Sequence, residues 1–441
     1  MNNPSMRIAP PLQAPLSSGV ESGVPQLGQY AQTEAVAPTV TRARSVSAVE
    51  LSASDTRAWV ALEVQALEPN AYMSPHFVLP ALRHLDPSLH PQILLVERTG
   101  AGLRQTIAVA VVHRVAATRL LPVPHQCGYM SRHSYLGAPL LHREFAAEAA
   151  SALLDLLGRQ RWSAAGLLLP NIDPASPLMA ALGGALRSRG LAIHVALERQ
   201  RAIMIPAQAG LASLKKNLGK KFNDLERRRR RLAEQGELQW LIHREVVDDA
   251  MVESFLSLEH SGWKAESRTS LRSKPQDEAF FREMVAGFAS EGRALFTELR
   301  LNGQTIASTS NFVSAHAGFA FKVGWDEAYR KYGLGILNET EFVSHAPDVC
   351  GDITNFDSGS APDSYMDTLW PNRRTLVTAF VPFSTWGQGA WNCVQRLRMA
   401  LRSLRSRANA GQAKAPAGED EAGKPATAIR PGASNAGGAT G

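Results

Sequence analysis

The stretch Gly318–Val343, GFAFKVGWDEAYRKYGLGILNETEFV, decides the reading, because in it a strand-like run passes into a helix through a glycine-bearing basic loop. Phe319, Phe321 and Val323 alternate with small or polar residues, the period of a half-buried strand. Arg330-Lys331-Tyr332-Gly333-Leu334-Gly335 follows. Two glycines let backbone N–H groups approach an anion. A helix beginning near Gly335, with Ile336, Leu337, Thr340, Phe342 and Val343 turned inward, aims its first N–H groups at the same place. Arg330 and Lys331 supply the countercharge. The stretch predicts a phosphate cradle between strand and helix; without a ligand, the same residues read as a glycine turn with two solvated cations.

Outward from the cradle, the pattern is a mixed α/β one. Upstream lie a strand at Glu237–His243, helices at Asp248–Ser261 and Gln276–Ser290, and strands at Leu295–Leu301 and Thr305–Val313. Asn302-Gly303 between the last two is a strong signal for a type I′ hairpin turn. Downstream, the strand Ile353–Phe356 completes the unit. An earlier run from Ser45 has a similar alternation, with a strand at Val46–Leu51, helices at Asp55–Leu67 and after Ser74-Pro75, and strands at Gln92–Glu97 and Gln105–Val115. Glu144–Gly158 and Pro177–Arg189 then read as helices, and Ala165–Leu169 and Leu191–Leu197 as strands. It contains no Arg-x-x-Gly-x-Gly loop. Residues 1–45 and 408–441 are rich in Pro, Ser, Ala and Gly without apolar period, and predict disordered tails.

At 441 residues, 44% of them hydrophobic, the chain has room for two domains. No apolar run approaches the roughly 18 residues needed to span a bilayer. The start, MNNPSMRIAPPLQ, has proline where a signal peptide needs an apolar core, so a cytoplasmic protein is expected. Cys127, Cys350 and Cys393 lack CxxC spacing, which predicts reduced thiols and no metal site. HExxH, GxSxG and Walker patterns are absent.

The net charge of +7 sits entirely in Lys215–Arg231, where nine Lys and Arg face only Asp224 and Glu226. The rest is formally neutral, which disfavours a nucleic-acid partner except through that segment. Leu214, Leu218, Phe222, Leu225 and Leu232 recur at three or four, so residues 214–236 read as one basic connecting helix with Gly236 at its end. Its cations are open to two readings, an RNA or anionic-lipid face and a solvated connector whose charge meets an acidic surface or a coenzyme phosphate. Near the other end, residues 386–407 form an amphipathic basic helix with Trp391, Val394, Leu397, Leu401 and Leu404 on one stripe. That helix fits packing against the second domain or a membrane surface.

The cradle resembles the pyrophosphate signature of the GNAT acyltransferase superfamily. Ser261-Gly262-Trp263-Lys264-Ala265, the Asn302-Gly303 hairpin, Gly324-Trp325-Asp326-Glu327-Ala328-Tyr329, and Asp357-Ser358 with MDTLWPNRRTL at Met366–Leu376 together resemble its CelD-like, FemAB-related branch. The likeness covers about Glu237–Val381 and, through His133–Leu140, more faintly the half before. That branch has Ser-Pro-Gly where this chain has Gly333-Leu334-Gly335.

The resemblance implies two tandem GNAT-like domains: a degenerate one over 46–213, the basic helix 214–236 between, and the acyl-coenzyme A domain over 237–385. It implies an N-acyltransferase using acyl-coenzyme A, most simply acetyl-coenzyme A, on a small-molecule or glycan amine in cell-envelope or exopolysaccharide metabolism, with no metal. Lys322, Val323, Arg330, Lys331, Tyr332, Gly333, Leu334, Gly335 and Ile336 would hold the donor, and backbone N–H groups around Phe321–Gly324 would polarise the thioester carbonyl. For the base, Asp357, Glu259, Asp326 and His260 are candidates, with Asp357 favoured for its place after an apolar strand. Tyr365 would protonate the leaving thiolate. Glu259, Trp263, Lys264 and Asp326 would face the acceptor. A FemAB-like aminoacyl transferase using charged tRNA and a non-catalytic binding protein are the alternatives.

Overall fold

Apolar residues of adjacent strands point to both faces of a sheet: Ile93, Leu95, Val109 and Val111 enter one core, Leu94, Val96, Ala108 and Ala110 another. A sheet buried on both faces needs helices on both. The computed structural model, which describes residues 39–100, 102–159, 164–244 and 246–412, has that arrangement. The expected tails at 1–38 and 413–441 lie outside the described residues.

The first half comprises β1 (Val40–Val46), α1 (Ala53–Val64), α2 (Pro75–Pro80), β2 (Gln92–Gly100), β3 (Leu103–Val115), β4 (His125–Gly128), β5 (Leu140–Leu141), α3 (Ala146–Arg159), β6 (Gly166–Ile172), α4 (Pro177–Arg187) and β7 (His194–Met204). After α5 (Leu211–Leu218) and α6 (Lys220–Ala233) come β8 (Leu238–His243), α7 (Asp249–Glu259), α8 (Trp263–Glu266), α9 (Pro275–Ala289), β9 (Ala294–Leu301), β10 (Gln304–Ser314), β11 (Ala317–Trp325), α10 (Leu334–Val349), β12 (Asn355–Asp357), α11 (Met366–Leu369), β13 (Asn372–Pro382) and α12 (Thr385–Gln412).

One sheet runs β1-β2-β3-β4-β6-β13-β7-β12-β11-β10-β9-β8, with β5 beside β3. Matched from its two ends inward, the order repeats: β1 to β4 and β6 answer β8 to β11 and β12, and β13 and β7 meet in the middle. Each arm has one parallel pair, β4 with β6 and β11 with β12. The architecture is two tandem GNAT-like units in a continuous mixed sheet. Helices α1, α2, α7 and α9 share one core across both halves, whereas α3 and α4 cover the first half's other face and α5, α6 and α10 the second's.

Several expectations change. Residues 40–45, expected in a tail, form β1 against β2, while 47–51, expected in a strand, do not. The basic segment is two helices, because Gly219 at φ +52° breaks it; its apolar stripe is buried as expected. β7 runs on to Met204, where it pairs with β12, and α12 continues to Gln412.

Candidate active site: the gap between β11 and β12

β11 and β12 are paired only at Ala317–Phe319 with Asn355–Asp357. β12 then ends, while β11 continues to Trp325 with its other edge on β10, so from Ala320 onward one edge of β11 faces no strand. A bulge at Ser310/Asn311 re-aims the strand. Before it Phe319 lies in the α7–α9 core; after it Gly324 backs on α7 so closely that a Cβ would fall 2.6 Å from the Glu259 amide nitrogen.

Side chains occupy the open edge. The Tyr72 hydroxyl donates to the Ala320 carbonyl (3.4 Å) and the Lys264 Nζ to the Val323 carbonyl (2.5 Å). In an antiparallel ladder a residue's N–H and C=O lie on the same side of the strand, so the Val323 N–H faces the gap as well. Lys264 also pairs with Glu259 (3.3 Å), which is 2% exposed and accepts the Leu271 N–H (2.8 Å) through its other oxygen. Burial pulls the Lys264 ammonium below its usual range, against the Glu259 charge. Its loop is tied to the cradle: Gly262, at φ +61°, leaves no room for a Cβ beside Glu327, and the Glu327 N–H donates to the Ser261 hydroxyl (3.2 Å).

The cradle follows. Asp326 accepts the Ala328 N–H (2.9 Å) and so starts a 3-10 turn over Glu327–Tyr332. Gly333 at φ +70° opens α10, which begins at Leu334, one residue earlier than expected, with no side chain capping its first N–H groups. That leaves orphan donors at a helix N-terminus. Three cations are near: Arg330, which pairs with Glu327 (3.4 Å), and Lys331 are exposed in the preceding turn, and the Nη1 of Arg228, which pairs with Asp224 (2.7 Å), lies 3.5 Å from where a Gly333 Cβ would sit. A Cβ at Gly335 would touch only Trp325 (3.4 Å) and Val323 (3.6 Å). Uncapped amides, flexible backbone and three cations fit a pyrophosphate group; Leu334 and Tyr332, both buried, serve through backbone and packing. Tyr332 accepts a hydrogen bond from Gln235 of the α6 terminus, and Arg229 pairs with Glu341, so the basic helix is fastened to the cradle. Ile336 donates its N–H to the Gly333 carbonyl (3.0 Å), and Lys322 lies over the Phe321 ring (5.5 Å).

Asp357 ends the β11–β12 pairing, opposite Phe319. Asp357 is 1% exposed and is approached by Arg201 Nη1 (3.3 Å), Arg374 Nη1 (3.5 Å) and the Gly359 N–H (2.9 Å). These fill most of a carboxylate's roughly four acceptor sites. Trp263 is exposed, and His260 bonds the Ser270 hydroxyl (2.7 Å) at the α7 terminus. Tyr365 is exposed; desolvation of its hydroxyl and then the Glu339 charge push its ionisation upward, so it keeps its proton.

Sequence reasoning missed Glu339. It lies on α10 and accepts the Trp370 Nε1–H (2.9 Å), and burial raises its carboxyl to about 7. The only signal was an acid inside an otherwise inward-facing run. On the opposite face, a cleft of about 560 Å³ lies against the closed end of the β11–β12 fork, lined by Glu68, Asp173, Ile203, Phe319, Asn355 and Arg374. Burial raises the Glu68 carboxyl, and Arg374 sits between Asp173 (3.4 Å) and Asp357. No His, Cys, Asp or Glu group that could hold a metal occurs among the described residues.

Residues 219–366 match the family model described as the acetyltransferase (GNAT) domain, which spans the fork, the cradle and α10. No curated protein matches the chain. Among solved structures, the C-terminal domain of a putative lysylphosphatidylglycerol synthetase from Agrobacterium fabrum is 12% identical, covering 78% of this chain and 95% of that one at a TM-score of 0.49. FemX is 9% identical over 75% and 94% at 0.46. A tandem GNAT protein from the clavulanic acid biosynthesis pathway is 14% identical over 77% and 98% at 0.34. Residues 219–366, in the second half, are thus similar to the acetyltransferase (GNAT) domain.

Proposed function

We propose that the protein is an acyl-coenzyme A-dependent N-acyltransferase, with acetyl-coenzyme A as donor and a small-molecule or glycan amine as acceptor, serving cell-envelope or exopolysaccharide metabolism as the CelD-like resemblance implies. One observation carries the reading: β11 leaves β12 just where the uncapped start of α10 meets Arg228, Arg330 and Lys331, inside the segment that matches the GNAT family. The bound donor supplies an activated acyl carbonyl. The free amides of Leu334 and Gly335 and the flanking cations hold its phosphates. The Val323 N–H is the donor placed to polarise the acyl oxygen. Lys264 and Glu259 shape the gap from the α7 side, Asp357 positions Arg201 and Arg374, and Tyr365 holds a proton at its hydroxyl for the leaving sulfur. The amine enters from the cleft lined by Glu68, Asp173 and Arg374.

A second reading, aminoacyl transfer from charged tRNA, draws on the exposed cations Lys215, Lys216, Lys220, Lys221, Arg230 and Arg231 beside the cradle. Thiol release from acetyl-coenzyme A over a panel of amines tests the choice. Turnover that tracks the amine supports the first reading; inertness toward every coenzyme thioester, with transfer from aminoacyl-tRNA, replaces it by the second.

A further inference from the structure

The described contacts of α12 with the body lie at its start. Gly387 lies flush on the first half, where a Cβ would meet the Ala165 carbonyl, and Trp391 is 3% exposed, stacked on Phe380 at 4.8 Å. The apolar stripe begun by Trp391 and Val394 then runs off the body: Leu397 is 61% exposed, Leu401 46% and Leu404 59%. Leu397, Leu401 and Leu404 are spaced as neighbours on one helical face. The helix start packs on β13, inside the expected second domain, and on Ala165 of the first half, while Leu397, Leu401 and Leu404 beyond it are exposed.

The charge pattern says what covers them. From Thr385 to Gln412 the sequence holds no Asp or Glu, and an arginine follows each leucine of the stripe: Leu397-Arg398, Leu401-Arg402, Leu404-Arg405, with Arg396 before the first. A second copy packed on the same face would bring two all-cationic helices together with no acid to pair, which disfavours self-association. A leucine face bordered by cations suits an interface where acyl chains lie beside anionic headgroups. No helix among the described residues is long and apolar enough to cross a bilayer, so the geometry is that of lying on a surface.

We propose that the outer turns of α12 are an in-plane anchor that holds the protein on an anionic lipid surface, with Leu397, Leu401 and Leu404 inserted and the arginines at headgroup level. The anchor is independent of the donor reading. Each arginine near such a surface contributes about fivefold in partitioning.

Flotation of the full chain with phosphatidylglycerol–phosphatidylcholine vesicles, and with phosphatidylcholine vesicles, tests it. Expected is binding to the anionic vesicles that weakens with salt, falls at least about tenfold in Leu397→Gln/Leu401→Gln/Leu404→Gln, and falls again in Arg396→Gln/Arg398→Gln. The three leucines and Arg396 are exposed, Arg398 is half-buried, and Trp391 is left in place, so the fold is retained. Equal binding by the leucine variant would mean that other cations, those of α5–α6 foremost, make the contact, and the anchor is wrong. It is equally overturned by no vesicle binding at low salt, or by leucine-dependent self-association in sedimentation velocity.

Discussion

The two parallel strand pairs part in opposite ways. In the first half β4 stops after pairing with Leu167 and Leu168, and the gap it leaves is filled by the chain itself: Gly137 donates its N–H to Pro170 (3.0 Å) and Asn171 binds the Tyr135 carbonyl (3.1 Å). In the second half the Tyr72 hydroxyl and the Lys264 ammonium reach the edge beyond Phe319, and Gly359 comes up to the Ala320 carbonyl without a backbone hydrogen bond to it among the described contacts. The helices differ as well. α3 has Glu148 in its first turn and buries only Ala149, Ala150, Leu153, Leu154 and Leu157, whereas α10 starts without an acid, beneath three cations, and buries Asn338, Glu339 and Thr340. A backbone plug and an acidic helix start mark the first half; an edge without backbone pairing and an uncapped helix mark the second, and under the proposed function that difference is what admits an anionic donor. The duplicated fold alone confers nothing on the first copy.

The sharpest way to break this contrast is Gly335→Val. Its Cβ has ordinary contacts with Trp325 and Val323, so circular dichroism should be unchanged, yet its branches reach where amides converge. Acetyl-coenzyme A affinity should fall by more than about a hundredfold; parental affinity would show the cradle to be elsewhere.

Glu339→Gln examines the polar face that α3 lacks. Because burial lifts the folded carboxyl to about 7, the wild type is unpenalised below the unfolded value and loses stability as pH rises from there through 7. The amide variant should be more stable at pH 8 by on the order of 2–3 kcal/mol, and lose that advantage near pH 4. A pH-independent difference in denaturant melts would contradict a buried ionisation there.

Gly137→Ala probes the plug. Its Cβ would sit 2.6 Å from the Pro170 carbonyl oxygen. Thermal unfolding should show a loss of roughly 1–3 kcal/mol with donor affinity unchanged; a changed affinity with unchanged stability would give the first half a binding role. Smallest is Arg330→Ala, where one exposed countercharge among three should weaken the donor about tenfold, about 1.4 kcal/mol, in calorimetry at low salt.

Local features were legible in the sequence. The strand, loop and helix around Gly333 stand as read, and Asn302 (φ +52°) and Gly303 (φ +78°) form the β9–β10 turn that Asn-Gly predicts. Turn chemistry and apolar period are carried by neighbouring residues, so they survive without tertiary information. What required the fold was long-range. Nothing near Asn372–Pro382 shows that β13 lies between β6 and β7, and Arg201, which meets Asp357 in space, is distant from it in sequence. Without Arg201 and Arg374, Asp357 looked like a free acid at a strand end. Glu339 was hidden for the converse reason: its environment is set by Trp370 and the packing of α10, not by its neighbours. β1 was lost because Val40–Val46, alternating with arginines, is a strand only against β2.

The central claim is that one half of a duplicated fold holds the donor and the other cannot. Isothermal calorimetry of the full chain with acetyl-coenzyme A tests it most directly, through the stoichiometry. The account predicts one saturable site per chain, lost in Gly335→Val and untouched by Gly137→Ala. Two sites per chain, or no binding at any concentration that leaves the protein folded, would contradict it.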